Sequence, residues 1–293
     1  MALFLLPVLC CLLLIAPTHT RAAKAEGIQV KPLRSYPTLD RGSTGKGTLT
    51  LTNKTPTLQN ISMSVETFGV SGGENNYDYS FGTSEEVNWV VFNEPKIALQ
   101  PGQSHDVTYS VAVPGDASAG GHYFSLLTTI DPPKGSGGVT EIRRVASLLY
   151  LEVSGSITKK SSLVDFSLPF FTTKPVVPTE VHISNNGTSH TRARVGVTGQ
   201  LLRAKIFRQP KQEYTLMEGT VMPATVRKLT GEVHLSNGPG IYKIGATYAP
   251  HQGGTQVVNR TVIYAPVWFL ALILATLSGI TITLVRYIKS RKA

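Results

Sequence analysis

Apolar and polar residues alternate along most of this chain with a period of two. In Thr48-Leu49-Thr50-Leu51-Thr52 the leucines share one face and the threonines the other. Ile61, Met63 and Val65 alternate with Ser62, Ser64 and Glu66, and Val107, Tyr109, Val111 and Val113 with Thr108, Ser110 and Ala112. Successive side chains of a strand point to opposite faces, so this alternation predicts strands with one buried and one wet face, as in a sandwich of antiparallel sheets. Between residues 26 and 263 no long stretch has helical periodicity, and Gly, Pro, Asn and Ser punctuate the apolar runs. The expected fold class is therefore all-β.

Two segments break the alternation. Leu3 to Ile15 is almost wholly apolar, but its thirteen residues are too few to span a bilayer comfortably. This predicts a signal peptide over residues 1–25, with Ala23-Lys24-Ala25 as an A-x-A pattern and cleavage before Glu26. Pro266 to Val285 is a run of twenty residues without a charge, enough at about 1.5 Å per residue to cross a hydrocarbon core of about 30 Å. Tyr264 and Trp268 stand at its outer end, and Arg286, Lys289, Arg291 and Lys292 follow its inner end. The expectation is a transmembrane helix over 264–285, a basic cytoplasmic tail over 286–293 and an extracellular N-terminus.

An internal repeat divides the remainder. LTLTNKT (49–55) and LQPGQSHDVTYSVAVPGDASAGGHYFSLL (99–127) are echoed by VHISNNGT (181–188) and VMPATVRKLTGEVHLSNGPGIYKIGATY (221–248). Pro101 then corresponds to Pro223, and Gly121-His122-Tyr123 to Gly240-Ile241-Tyr242. Two tandem immunoglobulin-like β-sandwiches are expected, over 26–155 and 156–263, joined near the polar SGSITKKSS segment. The first is longer by an insertion from Gly69 to Pro95, whose Gly, Asn and Ser content predicts a loop. Tyr77, Tyr79 and Phe81 give that loop aromatic mass, with Glu74, Asn75, Asn76 and Asp78 as hydrogen-bonding neighbours, which makes these seven residues the candidate ligand surface. Trp89 belongs either to that surface or to a core strand with Val91 and Phe92.

Composition adds constraints. Both cysteines, Cys10 and Cys11, lie in the leader, so the mature chain would have no disulfide and no thiolate chemistry, which favours a bacterial surface protein over an animal receptor. Four Asn-x-Ser/Thr sequons, at Asn53, Asn60, Asn186 and Asn259, weigh weakly the other way. Residues 26–155 carry nine Lys/Arg against thirteen Asp/Glu, whereas residues 156–263 carry thirteen against five. The basic second half fits two readings equally, contact with anionic lipid or wall polymers and an ordinary solvated surface. No HExxH occurs, Ser104-His105-Asp106 places triad letters on adjacent and hence opposite-facing strand positions, and Gly42 to Thr48 precedes a strand where a phosphate loop would need a helix. No enzyme, cofactor or metal is expected, and no nucleic acid partner.

The layout resembles the bacterial WxL-interacting cell-surface proteins. The residues that carry the resemblance are IQVKPLRSY (28–36), LTLTNKT (49–55), LQPGQS (99–104), VAVPGDASAGGHYFSLL (111–127) and VRYIKSRKA (285–293). The resemblance implies a first domain that binds peptidoglycan, a second that docks WxL-domain or other surface proteins or host ligands, and one membrane span. The reading that follows is a non-enzymatic, membrane-anchored surface adaptor. A structural stalk or chaperone-like module of an exported assembly is the first alternative, and a eukaryotic type I adhesion receptor the second.

Overall fold

The computed structural model describes residues 27–71, 77–131, 142–202 and 213–291. The expected leader, Glu74, Asn75 and Asn76 lie outside the described residues. The first part of the chain forms β1 (Ile28–Lys31), β2 (Arg34–Ser35), β3 (Thr38–Leu39), β4 (Thr44–Asn53), β5 (Gln59–Ser71) and β6 (Asp78–Gly82). It continues with β7 (Val90–Phe92), β8 (Lys96–Leu99), β9 (Ser104–Ala112), β10 (Gly120–Ile130) and β11 (Arg143–Val153). One sheet runs β1-β4-β9-β7 and the other β2-β11-β10-β5-β6, with β3 and β8 beside β11 and β5. The alternating residues close the core between them: Leu49, Leu51, Ile61, Met63, Val107, Tyr109 and Val111 are all buried there.

The second part forms β12 (Ser161–Ser167), β13 (Phe171–Thr172), β14 (Val176–Asn185), β15 (Thr191–Leu201), β16 (Glu213–Val221), β17 (Thr225–His234), β18 (Gly240–Tyr248) and β19 (Gln256–Tyr264). Its sheets are β12-β14-β17 and β13-β19-β18-β15-β16, around a core that includes Phe166, Val181, Ile183, Val195, Val197, Val233 and Ile244. Both halves are immunoglobulin-like sandwiches with the same wiring. In each, the first strand pairs in one sheet, crosses over, and then runs parallel to the last strand of the other: β1 to β2 and β3 beside β11, and β12 to β13 beside β19.

The Asn turns of the repeat have a physical cause. Asn53 and Asn185 are fully buried. The Asn53 side-chain amide donates to the Thr57 and Leu99 carbonyls at 2.8 and 2.9 Å, and its Oδ1 accepts the Thr55 N–H at 2.9 Å. Asn185 donates to Ser189 and Val221, both at 2.9 Å, and accepts from the Gly187 N–H at 2.9 Å. Each Asn thus ties the end of a strand to the edge of the facing sheet. An amide so buried is closed to glycosylation, which removes Asn53 as a sequon. Pro101 and Pro223 do correspond, since Gly102 and Ala224 after them both have positive φ, 76° and 55°.

The Gly-x-Tyr equivalence is shifted by one residue. β10 opens on Gly120 and β18 on Gly240, both with positive φ. This aligns His122 with Tyr242. The Tyr242 hydroxyl donates to the Gly238 carbonyl at 2.6 Å, four residues back, and His122 Nε2 lies 3.0 Å from the Ser118 carbonyl oxygen, also four back. The histidine occupies the place of the tyrosine corner found in such sandwiches.

Two other expectations change. The Gly69–Pro95 insertion is not simply a loop: β6 pairs with β5 as an extended hairpin, and a single 3-10 turn over Glu85–Trp89 leads into β7. Trp89 is half-buried against the first core, 4.8 Å from the His122 ring. The apolar C-terminal run forms α1 (Val267–Ser290), 24 residues, so the helix continues past Val285 through Arg286 and Lys289. A helix has no reason to end where its apolar face does, because its backbone bonds persist into the polar layer.

Candidate interaction site

β10 and β11 carry apolar residues on both faces. Phe124, Leu126, Leu149 and Leu151 enter the first core, while Phe68, Tyr123 and Tyr150 lie on the outer face of the same sheet. That face looks toward the second domain. Phe68 meets Tyr150 edge-on with centroids 5.3 Å apart, Tyr36 stacks on Tyr150 at 5.0 Å, and the His190 ring reaches in from the second domain to 5.4 Å from Tyr150. Burial pushes the Tyr123 and Tyr150 hydroxyls upward and drives His190 down to about 4. The imidazole is thereby kept neutral at pH 7.

Polar bonds clamp the rim of this aromatic layer. Tyr77 is the central one: its hydroxyl accepts the Met222 N–H at 2.7 Å and pairs with Thr225 Oγ1 at 2.7 Å, while Arg227 covers its ring at 4.7 Å. Tyr36 pairs with Thr220 Oγ1 at 2.8 Å under the Arg192 guanidinium. Glu152 accepts from Lys159 Nζ at 2.9 Å and from Ser189 Oγ at 2.7 Å. Burial pushes its carboxyl up, but these two hydrogen bonds and the Lys159 charge outweigh burial and hold it low. A polar cavity of about 330 Å³, lined by Tyr36, Glu152, Lys159, His190, Arg192 and His251 among others, remains between the domains. Gly120 and Gly121 lie against Thr188 of the second domain, whose carbonyl accepts the Gly121 N–H at 3.1 Å. A Cβ at Gly120 would stand 2.6 Å from the Thr188 carbonyl oxygen, at a φ of 127°, so both space and backbone demand glycine.

Beside this junction the sheet is open. β11 pairs with β10 along its whole length; on its other side the strands paired with it, among the described residues, are β2 at Leu148–Leu149 and β3 at Glu152–Val153, and the Pro32 carbonyl accepts from Ser147 Oγ at 2.6 Å. The Leu148 and Glu152 N–H groups point to that second side, donating to Leu33 and Pro37. By the two-residue period, the backbone groups of Arg144 and Ala146 point the same way. Among the described residues no strand pairs with them there. Next to this edge is an apolar groove of about 630 Å³ lined by Leu33, Arg34, Tyr79, Phe81, Ala146 and Leu148. Exposed Ile142 extends the apolar row along the strand. β19 has a comparable open side, but its edge is polar, with Asn259 exposed and Arg260 3.6 Å from Asp165.

The residues singled out from sequence therefore separate. Tyr79 and Phe81 line the groove, Asp78 is exposed on the hairpin, and Tyr77 is committed to the second domain. Tyr36, Phe68, Tyr123, Tyr150 and His190 were not anticipated. Their signal was present: Tyr123 to Leu127 and Leu148 to Leu151 are nearly continuous apolar runs, the mark of strands covered on both faces. The triad letters disperse as alternation requires. Ser104 Oγ bonds Thr52, and His105 Nε2 lies 2.9 Å from Glu94.

No family model matches the chain, and no curated protein does. Among solved structures it is similar to the class 5 fimbriae chaperone CfaA, at 13% identity over 82% of this chain and 100% of that one, with a TM-score of 0.38. It is similar also to the periplasmic chaperone SfaE (14%, 81% and 100%, TM-score 0.37) and the E. coli chaperone DraB (13%, 82% and 98%, TM-score 0.38). The resemblance to the WxL-interacting family is corrected accordingly: no family model supports it, and the similar structures are chaperones. Runs such as LQPGQS and VAVPGDASAGGHYFSLL are turns and strand starts that a sandwich of this wiring needs for folding, so they carry no family identity.

Proposed function

We propose that the chain is a non-enzymatic, membrane-anchored, chaperone-like module that holds an extended segment of another exported protein as an added strand on the open edge of β11. The observation that carries this is the coincidence of two features: backbone groups at Arg144 and Ala146 that no strand pairs with among the described residues, and an apolar groove on the face to which Ala146 and Leu148 contribute. An added strand satisfies backbone groups at the edge and sends alternate side chains into the groove, which supplies affinity and selectivity separately. α1 would tether the module, with the cluster Arg286, Lys289, Arg291 and Lys292 on the cytoplasmic side and both sandwiches outside. Peptidoglycan and WxL-domain partners rested on the withdrawn resemblance and are not retained.

The test is amide exchange on the full chain co-expressed with exported proteins of its own host. A bound subunit is expected to slow exchange at Arg144 and Ala146, and Ala146→Pro is expected to abolish capture, because it removes the outward N–H. A subunit that stays bound to Ala146→Pro while these amides exchange freely would refute strand addition.

A further inference from the structure

We infer that the second domain docks end-on against the lipid surface, through an apolar row beside the start of α1. This rests on the reading of α1 as a membrane span. Between β19 and α1 lie only Ala265 and Pro266, both buried, and the Ala265 N–H donates to the Thr172 carbonyl at 3.0 Å. The helix thus leaves a packed end of the domain, not a free tether.

Across that end four segments stand level. Phe171 is opposite Ile263, Ile263 is opposite Ile241, and the Leu202 N–H donates to the Ile241 carbonyl. The inward neighbours Leu201, Tyr242, Val262 and Tyr264 fill the core, so Ile241, Ile263 and Leu202 face out. Phe170, Phe171, Ile241 and Leu202 are 68, 47, 48 and 51% exposed. Apolar side chains grouped so closely on a soluble face mark an interaction surface. From Ile263 to Val267 the chain covers at most about 14 Å, so a helix that enters the hydrocarbon near Val267 holds this row at the headgroup layer. Exposed Lys174 and Lys243 flank it, where their stems can lie along the apolar row and their ammonium groups reach lipid phosphates. Trp268, also exposed, occupies the first turn of the helix.

The occupant is bilayer lipid, and native tryptophans make the test internal. The chain has two, Trp89 in the first domain and Trp268. The full chain is reconstituted in phosphatidylcholine vesicles with brominated acyl chains, which quench nearby indoles. Trp268 of the parent reports the span. With Trp268→Phe as background, Phe171→Trp is expected to be quenched to an extent comparable with Trp268. Ile241→Trp, on the same row, should repeat the result. Val257→Trp, about 20 Å further along β19, is expected to retain its emission. If Trp268 itself escapes quenching, the span reading fails and the docking with it. Should Trp268 be quenched while Phe171→Trp and Ile241→Trp are not, the span stands and the docking is overturned. Equal quenching of Val257→Trp would mean a domain lying along the membrane, which also overturns it. So would emission of Phe171→Trp that follows protein density in place of bromine, since the row would then be covered by a second copy.

Discussion

At the scale of single residues, two positions repeat across the domains with consequences that can be measured. Replacing Asn185 by Ala would strand the buried Ser189 and Val221 carbonyls and the Gly187 N–H. Each buried group left without a partner costs about 1–3 kcal/mol, so Asn185→Ala should lower stability by about 3 kcal/mol in a urea titration. Asn186→Ala, at the exposed neighbour, should change it by no more than about 0.5 kcal/mol. Ala224 occupies the left-handed position that Gly102 fills in the first domain. Because a Cβ is disfavoured there, Ala224→Gly should stabilise the protein by about 0.5–1 kcal/mol, seen as a raised thermal midpoint.

At the scale of elements, β11 is one strand with two different sides. Ala146 N–H points away from β10, whereas the period of two aims the Ser147 N–H at β10, where Ser147 pairs with Leu126. Proline removes the N–H in either case. Ala146→Pro should therefore cost no more than about 1 kcal/mol, and Ser147→Pro about 3 kcal/mol or more, by chemical denaturation of the full chain in detergent. A similar loss at both positions would mean that the outer side of Ala146 is already paired. The same strand shows what alternation conceals. Leu149 and Leu151 read as an ordinary core face, but Tyr150 between them is just as buried, because the second domain covers the outer face that an isolated sandwich would leave wet.

At the scale of the molecule, the aromatic junction couples the domains and should make their coupling depend on pH. His190 is held at about 4 by burial, opposed by Glu152 and aided by Lys159 and Arg192, against an ordinary value of 6.5. Its rings of contact are Tyr36, Tyr123 and Tyr150. A depressed folded value means that the unfolded chain binds the proton more readily. Stability is therefore fully present above pH 6.5 and is lost as pH falls through about 4, with about 2 kcal/mol gone by pH 5. Glu152, also held low, adds to the loss only below the ordinary carboxylate range. Thermal midpoints compared at pH 7.5 and 5 should show this decline in the parent and its near absence in His190→Phe. Tyr77→Phe should loosen the junction independently of pH, because the Met222 N–H loses its acceptor, and the Met222 amide should then exchange faster.

What the sequence determined by itself was local and periodic. Period-two alternation, turn residues and one uncharged run of apolar residues specify strands, a sandwich class and an apolar helix, since these depend on neighbours a few positions apart. The repeat was legible for the same reason, down to the Asn turns. Its register at Gly120 and Gly240 was not, because Gly120-Gly121 offers two glycines and only the backbone angle and the Thr188 carbonyl single one out. The tertiary structure alone decided which face of β10 and β11 meets the second domain, that Tyr77 is a clamp while Tyr79 and Phe81 line a groove, and that β11 around Ala146 is paired, among the described residues, with a strand on one side. Those outcomes depend on residues more than a hundred positions apart, such as Tyr77 with Met222 and Tyr36 with Thr220. No periodicity within a strand records what will be placed against it.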